Sequence, residues 1–433
     1  PRGGRPGWGL PNCKKQTIKH KIKKTSILKI ITQKKYKFKF RKMLKIKNIK
    51  LYFTKPSKPS EASNLMSQIA STQLLDAAFQ ATLQKHIERE TGPNHPIWSY
   101  SRTWNLRKDT IRQELQLGTF NLAPVQQLTL APRLDTPEIN ESTWEPESEI
   151  VLKVLTLVLE PYLKSCMDLT KASHLKDYGG LKSCVKLASK HQSSNKFIFK
   201  TDIAKFYASI DHKYLINFLS EYIKDERVLD LILQFANRCE IRNAEHILIN
   251  HKSIPRGCPL SPLMGAVYLH AIDSYAKSKN LTYVRYMDDF IFFAKTRWQL
   301  RKIIKSVYSL LDTLKLKLAL DKTFIGKCSK GFDFLGYHIG GTEDQSGAPA
   351  GLSIAKTSFA RFIQRIYWLY EHQAAYGEKF VSRLNRYVKN WIRWAKAGIG
   401  KVYLPNTILT HINFKLNNIT PRPSQRAKIH ISF

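Results

Sequence analysis

Asp288 and Asp289 are adjacent acidic residues inside a largely apolar and aromatic stretch, residues 283–293. Short runs of such side chains favour buried β-strands, here two strands around a tight turn. A bare pair of aspartates is usually part of a solvated turn, whereas two carboxylates at the tip of a buried hairpin repel each other. A divalent cation shared with another acid would relieve this repulsion, so the segment predicts metal-dependent chemistry.

A third acid stands at the end of another predicted strand. Residues 197–201 are rich in β-favouring side chains, and Asp202 follows them directly. If the strands lie side by side, Asp202 and Asp288 converge. Two metal ions ~3.5–4 Å apart, bridged by carboxylates, stabilise both the attacking and the leaving oxygen of an in-line phosphoryl displacement. Mg²⁺ suits oxygen ligands that leave room for phosphates, so we expect two Mg²⁺ ions, with Mn²⁺ as an alternative.

The order of the predicted elements would bring these acids together. After the strand at 197–201, apolar residues recur at helical spacing over 215–223. The two hairpin strands follow, then a helical face at 300–314 and a strand at 316–320. Strand, helix, two hairpin strands, helix, strand is the split βαβ, or ferredoxin-like, pattern, in which the first strand lies beside the hairpin.

Helices are predicted on both sides of this core. Residues 61–120 look helical and polar, and 148–163 have an amphipathic helical pattern, whereas four prolines make 121–149 loop-like. Two basic and aromatic helices are predicted at 357–376 and 380–396. The sequence thus predicts a mixed α and β protein with helical ends.

Composition points to a globular protein with a polyanionic partner. The chain has 433 residues, of which 43% are hydrophobic, and a net charge of +38, which attracts nucleic acid or an anionic membrane surface. No apolar run approaches the ~18–20 residues of a membrane span, and no signal peptide is visible. The six cysteines are scattered without a Cys-x-x-Cys pair, so we expect reduced thiols, no structural zinc and a cytoplasmic location.

The charge is concentrated at the start of the chain. Residues 1–60 contain 17 Lys, 3 Arg and no acid, so +20 lies there and +18 in the remainder. Such like-charge density resists packing. Two interpretations stay open: a basic arm that holds nucleic acid, or a segment that is not part of the folded protein.

Five motifs occur together and in a fixed order. They are residues 199–212, 254–263, the Tyr-Met-Asp-Asp string at 286–289, 321–323 and 331–337. In these strings and their order the chain resembles bacterial reverse transcriptases of the group II intron and retron type. The similarity extends over roughly residues 150–395, which is most of the predicted folded part.

The resemblance implies an α+β, right-hand polymerase with fingers, a ferredoxin-like palm (split βαβ) and a helical thumb. The implied divisions are a basic tail at 1–60, N-terminal helices and fingers at 61–190, the palm with an inserted fingers segment at 191–345, and the thumb and C-terminal tail at 346–433. We expect no HNH endonuclease after the thumb, which would favour a free-standing or domesticated enzyme.

The implied activity is RNA-directed DNA polymerisation, with an RNA template, a DNA or RNA primer and deoxynucleoside triphosphates as partners. Asp202 and Asp288 would bind the metal ions, with Asp289 as a weaker ligand or an electrostatic support. Tyr207 would lie beneath the sugar of the incoming nucleotide and exclude a 2′-OH; its plainer interpretation is core packing. Lys322 would approach the triphosphate and protonate the leaving pyrophosphate, although a lysine after an aspartate is often merely exposed.

Further roles follow from the same resemblance. Phe334, Leu335 and Gly336 would form a primer-gripping turn. The loop and helix under template and nucleotide would be shaped by four residues: Pro255, Gly257, Ser261 and Pro262. Arg256 replaces the glutamine usual in the family and would grip phosphate, so Arg256 and Gly257 are expected at the nucleotide. Arg133 and Lys182 are candidates for holding the triphosphate.

Two other functions are compatible with the sequence. One is a maturase-like RNA-binding protein with reduced or no polymerase activity, and the other is an RNA-dependent RNA polymerase, against which Tyr207 argues. No membrane partner is expected, and a structured cognate RNA would fit the charge. Intron mobility, retron-type synthesis, template diversification, phage defence and DNA repair are not separated by the sequence.

Overall fold

The computed structural model describes most of the chain after residue 64. The ranges are 65–89, 91–130, 139–242, 245–249, 251–340, 351–373, 377 and 379–396, with the backbone alone at 128–130, 139–142 and 379. These residues belong to one compact unit, Tyr52–Phe433. The predicted basic tail, and the C-terminal tail beyond 396, lie outside them.

The first part is helical, as predicted for residues 61–120 and 148–163. Its helices are α1 (Leu65–Ile69), α2 (Thr72–Glu88), α3 (Ile97–Leu117) and α4 (Pro146–Cys166). Helix α4 begins with proline at its first position, where the missing N–H costs nothing, and buries most of its apolar side chains in the largest core cluster.

The interpretation of 121–149 as loop was wrong, because this segment contains two strands. Strand β1 (Val125–Leu130) pairs antiparallel with β2 (Ile139–Thr143) and parallel with β4 (Cys239–Arg242), which pairs with β5 (Glu245–Leu248). Pro124 and Pro146 lie outside the two strands, where proline removes no ladder hydrogen bond. The number of prolines therefore led to an overestimate of the extent of loop in this segment.

A central antiparallel sheet follows the predicted ferredoxin-like order. Strands β3 (Phe197–Thr201), β6 (Thr282–Tyr286), β7 (Asp289–Ala294) and β8 (Phe324–Lys327) are arranged as β6-β7-β3-β8. Alternate residues bury opposite faces: Phe199 and Phe292 join the largest core, while Ile198 and Phe293 join a second cluster. Burial on both faces explains why these strands read as continuous apolar runs.

The last strand of the sheet is not the predicted 316–320. That segment runs beside the residues that follow β3: Ala204 N donates to Lys317 O, and Ala319 N donates to Asp202 O, both at 2.8 Å. A single 3₁₀ turn, Leu320–Lys322, then interrupts the pairing before β8 continues it along β3. Leu316, Leu318 and Ala319 are buried without forming a regular strand, which misled the prediction.

Helices cover both faces of the sheet. The helices after α4 and before β8 are α5 (Gly180–Ser194), α6 (Phe206–Ser209), α7 (His212–Leu219), α8 (Glu226–Ala236), α9 (Ser261–Tyr268), α10 (His270–Ser278) and α11 (Arg297–Thr313). Helix α11 packs on the face of the largest core cluster, and α5 packs on the opposite face.

The C-terminal part adds a small sheet and two helices. Strands β9 (Phe332–Phe334), β10 (Tyr337–Ile339) and β11 (Leu352–Ile354) are followed by α12 (Lys356–Glu371) and α13 (Lys379–Lys396), close to the predicted helices. Phe362 and Trp391 stack at 4.0 Å and join α12 to α13. No helix in the described part of the chain is long and apolar enough to cross a membrane.

Candidate catalytic site

The three predicted acids meet at one end of the central sheet. Strands β3 and β7 pair with Thr201 opposite Phe290, so Asp202 and Asp289, each one residue further on, are neighbours. Strands β6 and β7 are joined by a two-residue turn, Met287-Asp288, which holds the third carboxylate above the same edge. The convergence predicted from the order of the elements is confirmed.

Proximity and burial perturb two of the carboxyl groups. The pKa of Asp288 is raised well above its usual value, first by burial and then by the charge of Asp202, with whose carboxyl group it shares a hydrogen bond. Burial and the charge of Asp202 raise the pKa of Asp289 to about 6, against the opposing effect of Lys200 and Lys322. The cluster is therefore short of positive charge.

Lys322 supplies part of that charge. Its Nζ donates to Oδ2 of Asp202 at 2.5 Å, and this contact is the first cause of its raised pKa. The 3₁₀ turn that interrupts the sheet carries Lys322 and lies opposite the end of β3, which places the ammonium group over the acid. Most of the lysine side chain stays in solvent.

The donor set fits a hard divalent cation. Carboxylate oxygens that repel one another and accept an ammonium group would accept Mg²⁺, which prefers oxygen ligands and usually keeps water or substrate phosphate in its other positions. Among the described residues, no group of three or more His, Cys, Asp or Glu is arranged to hold a metal by itself. Any metal ion bound here would need further oxygen ligands, from water or from substrate phosphate.

Neutralising Asp289 should stabilise the metal-free protein. Its folded-state pKa lies above that of the unfolded chain, so ionisation weakens the fold at high pH and the cost vanishes as the pH falls towards about 4. We expect Asp289→Asn to raise the free energy of unfolding by about 2 kcal/mol at pH 8, and by less at pH 5. Urea denaturation in EDTA measures this, with the exposed Asp312→Asn as the matched control. A destabilised Asp289→Asn protein at pH 8 would contradict it.

Tyr207 lies beside the acidic cluster, on the short helix α6. Its ring packs against Phe206 at 5.5 Å, and a side chain at Gly265 of α9 would stand 3.2 Å from it. Burial, and then the charge of Asp288, raise the pKa of its phenol, while Arg256 lowers it. The half-buried ring therefore stands between the hairpin and the turn that contains Arg256.

The Pro255–Gly257 segment is tied to this tyrosine. Ile254 N donates to Tyr207 O at 2.9 Å, and the Ser261 hydroxyl donates to Pro255 O at 2.5 Å. Arg256 and Gly257 form an exposed turn, in which Gly257 has a φ of 79° that favours glycine. Both residues face solvent near Tyr207.

His174 is a functional candidate that the sequence did not reveal. Met287 N donates to its Nδ1 at 3.1 Å, and its Nε2 donates to the carbonyl oxygen of Pro262 at 3.1 Å. These partners require the neutral Nε2–H tautomer, and burial together with Arg285 lowers the pKa of the imidazole to about 4. His174 thus connects the acidic hairpin to the start of α9, and no periodicity or local motif distinguished it.

A buried ion pair holds the other side of the same turn. The fully buried Arg285 pairs with Asp273 and donates from Nη1 to Met287 O at 3.0 Å. Met287 has a φ of 55°, which is strained for a residue with a side chain. Hydrogen bonds to both its N–H and its carbonyl therefore fix a conformation that the residue would not prefer alone.

The predicted primer-gripping turn is present as a tight hairpin. Leu335 and Gly336 have φ values of 50° and 86°, the pattern of a type I′ turn between β9 and β10. A side chain at Gly336 would lie 3.0 Å from atoms of Trp394 and Ser358, so glycine permits the approach of α12 and α13. Phe334 is only 1% exposed and anchors the turn. Its ring is therefore not available to contact nucleic acid, contrary to the expectation from the sequence.

Lys182 is not placed with the acidic cluster. Its ammonium group contacts the hydroxyl of Tyr337 and the carbonyl oxygen of Trp394, and it lies over both rings at 4.7 and 4.9 Å. Burial lowers its pKa to about 8. Lys182 therefore fastens α5 to β10 and α13 instead of facing the predicted triphosphate position. Arg133 lies outside the described residues.

The region that contains these residues is similar to a known family. Residues 143–339 match the family model for reverse transcriptase (RNA-dependent DNA polymerase), and the match contains the acids, Tyr207 and Lys322. The chain therefore carries a reverse transcriptase domain, which confirms the family recognised from the motifs.

Several named proteins are similar to part of this chain. The chain is 24% identical over 307 residues to group II intron-encoded protein LtrA of Lactococcus lactis subsp. cremoris, covering 53% of this chain and 49% of that protein. It is 23% identical over 188 residues to protein YkfC of Escherichia coli K12, covering 34% and 48%. It is also 23% identical over 169 residues to the putative COX1/OXI3 intron 2 protein of Saccharomyces cerevisiae, covering 39% and 20%. The chain spans a fifth to about half of these relatives' lengths.

Proposed function

We propose that this protein is an RNA-directed DNA polymerase that extends a primer 3′-OH with deoxynucleotides on an RNA template. The observation that carries the proposal is the meeting of Asp202, Asp288 and Asp289 at one sheet edge, within a matched reverse transcriptase domain. Burial and the charge of Asp202 raise the pKa of both Asp288 and Asp289, and a bound cation would relieve the repulsion between these carboxylates.

The proposed architecture follows the polymerase hand. The central sheet with α7 and α11 serves as the palm, residues 191–345. Residues 61–190 provide N-terminal helices and fingers, and α12 with α13 forms the thumb, which begins at about 346. The order β6-β7-β3-β8 supports the palm assignment, because it is the split βαβ arrangement with the acids at the end of its central strands.

In the proposed mechanism the acids hold the cations and the other residues position the substrates. Bound Mg²⁺ would activate the primer hydroxyl and neutralise charge on the leaving pyrophosphate. Asp202 and Asp288 supply carboxylate ligands, and Asp289 adds negative charge behind them. Lys322, freed from Asp202, would face the triphosphate and donate a proton to the leaving pyrophosphate.

Nucleotide recognition is assigned to the surface beside Asp288. Tyr207 would lie under the sugar and leave no space for a 2′-OH. Arg256, at an exposed turn beside it, would contact a phosphate, where a guanidinium group can donate two parallel hydrogen bonds. Gly257 lets the backbone of this turn approach the nucleotide closely.

Primer extension tests the proposal directly. We expect the purified protein to extend a labelled primer annealed to RNA with deoxynucleotides and Mg²⁺, to stop when EDTA is added, and to resume with excess Mg²⁺. Ribonucleotides should support little synthesis. Equal product from the wild type and from Asp288→Ala would refute the proposal, and efficient ribonucleotide synthesis would favour an RNA-dependent RNA polymerase.

A maturase-like RNA-binding function is the second candidate. The net charge of +38 and the similarity to proteins named as intron-encoded favour RNA binding in any case. Steeply salt-dependent RNA binding fits both candidates. Intact RNA binding without primer extension by the wild type would favour this second function.

His174 is expected to position the catalytic turn. Removing the ring in His174→Ala leaves Met287 N without its acceptor, so Asp288 loses its fixed position; we expect kcat to fall about 10- to 100-fold. The KM for template–primer should change little, because His174 is buried. His174→Gln offers an acceptor and a donor with similar separation and should restore most of the rate. Equal loss in both variants, or loss of folding measured by circular dichroism, would contradict a positioning role.

A further inference from the structure

The end of the central sheet opposite the acids is lined with unpaired cations. Phe197, the first residue of β3, is paired with both Ala294 and Lys327. Lys196 precedes Phe197 and Lys295 follows Ala294, so three exposed lysines gather at this edge. Strand β3 separates them from Asp202 by five residues, roughly 17 Å at about 3.3 Å per residue.

Helix α11 begins at the same edge and extends the positive charge. Arg297 lies over the ring of Phe197 at 5.9 Å, and Arg301 lies over the ring of Trp298 at 5.7 Å. Arg297, Arg301 and Lys305 are four residues apart, so they form a row one helical turn apart on the exposed side. The row is about 12 Å long at 1.5 Å per residue.

Trp298 is the unusual member of this surface. Its side chain is 79% exposed, although the helix buries Leu300, Ile303 and Val307 on its other side. An indole left in water beside a row of cations contributes nothing to the core. It is placed as an aromatic platform on which a base can stack.

The charge here is not balanced by acids. Residues 186–201, 290–311 and 323–332 contain no Asp or Glu. Among the described residues, the surface lysines and arginines named here have no ion-pair partner, whereas other surface lysines such as Lys108 and Lys277 pair with aspartates. We define the α11 surface as Lys196, Lys295, Arg297, Trp298, Arg301 and Lys327.

We propose that the α11 surface binds a single-stranded segment of RNA, separately from the primer and template at the acids. The row of cations follows a phosphodiester backbone, and Trp298 stacks a base, which together form the usual combination for single strands. An acidic protein segment would match the charge but would make no specific use of the exposed indole of Trp298. RNA is therefore the occupant that uses both features.

The test compares two double variants with the same change in net charge. Trp298→Ala/Arg301→Gln removes an aromatic side chain and an arginine from the α11 surface. Leu106→Ala/Arg107→Gln, on α3, removes an exposed apolar side chain and an arginine that lies over Tyr100 at 4.3 Å. Both lose one positive charge from an exposed helical position, so a general charge effect would be equal in the two proteins.

Binding is measured with the catalytic cleft already filled. Each protein, first saturated with unlabelled primer–template duplex and without nucleotides, is titrated with a labelled 12-nucleotide single-stranded RNA by fluorescence anisotropy. We expect Trp298→Ala/Arg301→Gln to bind this RNA about 10-fold more weakly, with a salt dependence reduced by about one phosphate contact. The α3 variant should stay within about twofold of the wild type, and primer extension should be unchanged in both.

Several results would overturn the inference. Equal weakening in both variants would indicate general charge, and a parallel loss of primer extension in the α11 variant would place the surface in the main cleft. Failure of the saturated wild type to bind the RNA, with binding of a poly-glutamate peptide at the α11 surface, would indicate an acidic protein partner. The binding assay contains no nucleotides, so its result does not depend on polymerase activity. A protein that failed to extend primers could still bind RNA at the α11 surface.

Discussion

Asp202→Asn is expected to lower the rate of primer extension by about 1,000-fold or more. Asp202 lies at the centre of the site. It faces Asp288 and Asp289, and its carboxylate accepts a hydrogen bond from the Lys322 ammonium group. An amide has one oxygen instead of two and no charge, so it can neither bridge cations nor offset their charge. A loss of this size corresponds to about 4 kcal/mol of transition-state stabilisation.

Single-nucleotide turnover with saturating Mg²⁺ measures this loss. Affinity for the template–primer duplex should stay within a few-fold, because Asp202 is buried. The exposed Asp312→Asn on α11, which removes the same charge outside the acidic cluster, should retain full rate. If Asp202→Asn extended primers at a tenth of the wild-type rate or faster, the acids would not be the catalytic centre.

Tyr207→Ala is expected to raise the use of ribonucleotides relative to deoxynucleotides by about 100-fold. The ring is fixed on one side by Phe206 and by the close approach of Gly265, so it cannot move away from a 2′-OH. Removing the ring opens space for that hydroxyl, and relief of a clash of about 3 kcal/mol gives the expected ratio. The quantity to compare is kcat/KM for the two sugars on the same template.

Tyr207→Phe is the matched control for the phenol. It keeps the ring and removes only the hydroxyl, so discrimination against ribonucleotides should remain near that of the wild type. If Tyr207→Phe lost discrimination as fully as Tyr207→Ala, a hydrogen bond of the phenol would be responsible. Unchanged discrimination in both variants would support the plainer interpretation, in which Tyr207 only packs the core.

The core around the three acids could be predicted from the sequence because its signals are local. The apolar runs on both sides of Asp288 and Asp289, together with the order of strands and helices, predicted the central sheet and the meeting of Asp202 with the hairpin. The prediction failed where apolar residues are buried without regular pairing, as at 316–320, and where prolines flank strands, as at 121–149. Burial and periodicity are separate properties, and the sequence reports mainly the second.

The sequence by itself indicated the family, the first three strands of the central sheet and the three acids, since each depends on residue type at short spacing. Only the tertiary structure showed that His174 and Arg285 hold the strained Met287, that Lys182 fastens helices instead of facing the acids, and that Trp298 is exposed. These contacts join residues that are mostly far apart in the chain, and their partners are often backbone atoms. Such pairings leave no periodic trace in the sequence, because any residue provides an N–H or a carbonyl once the fold brings it near.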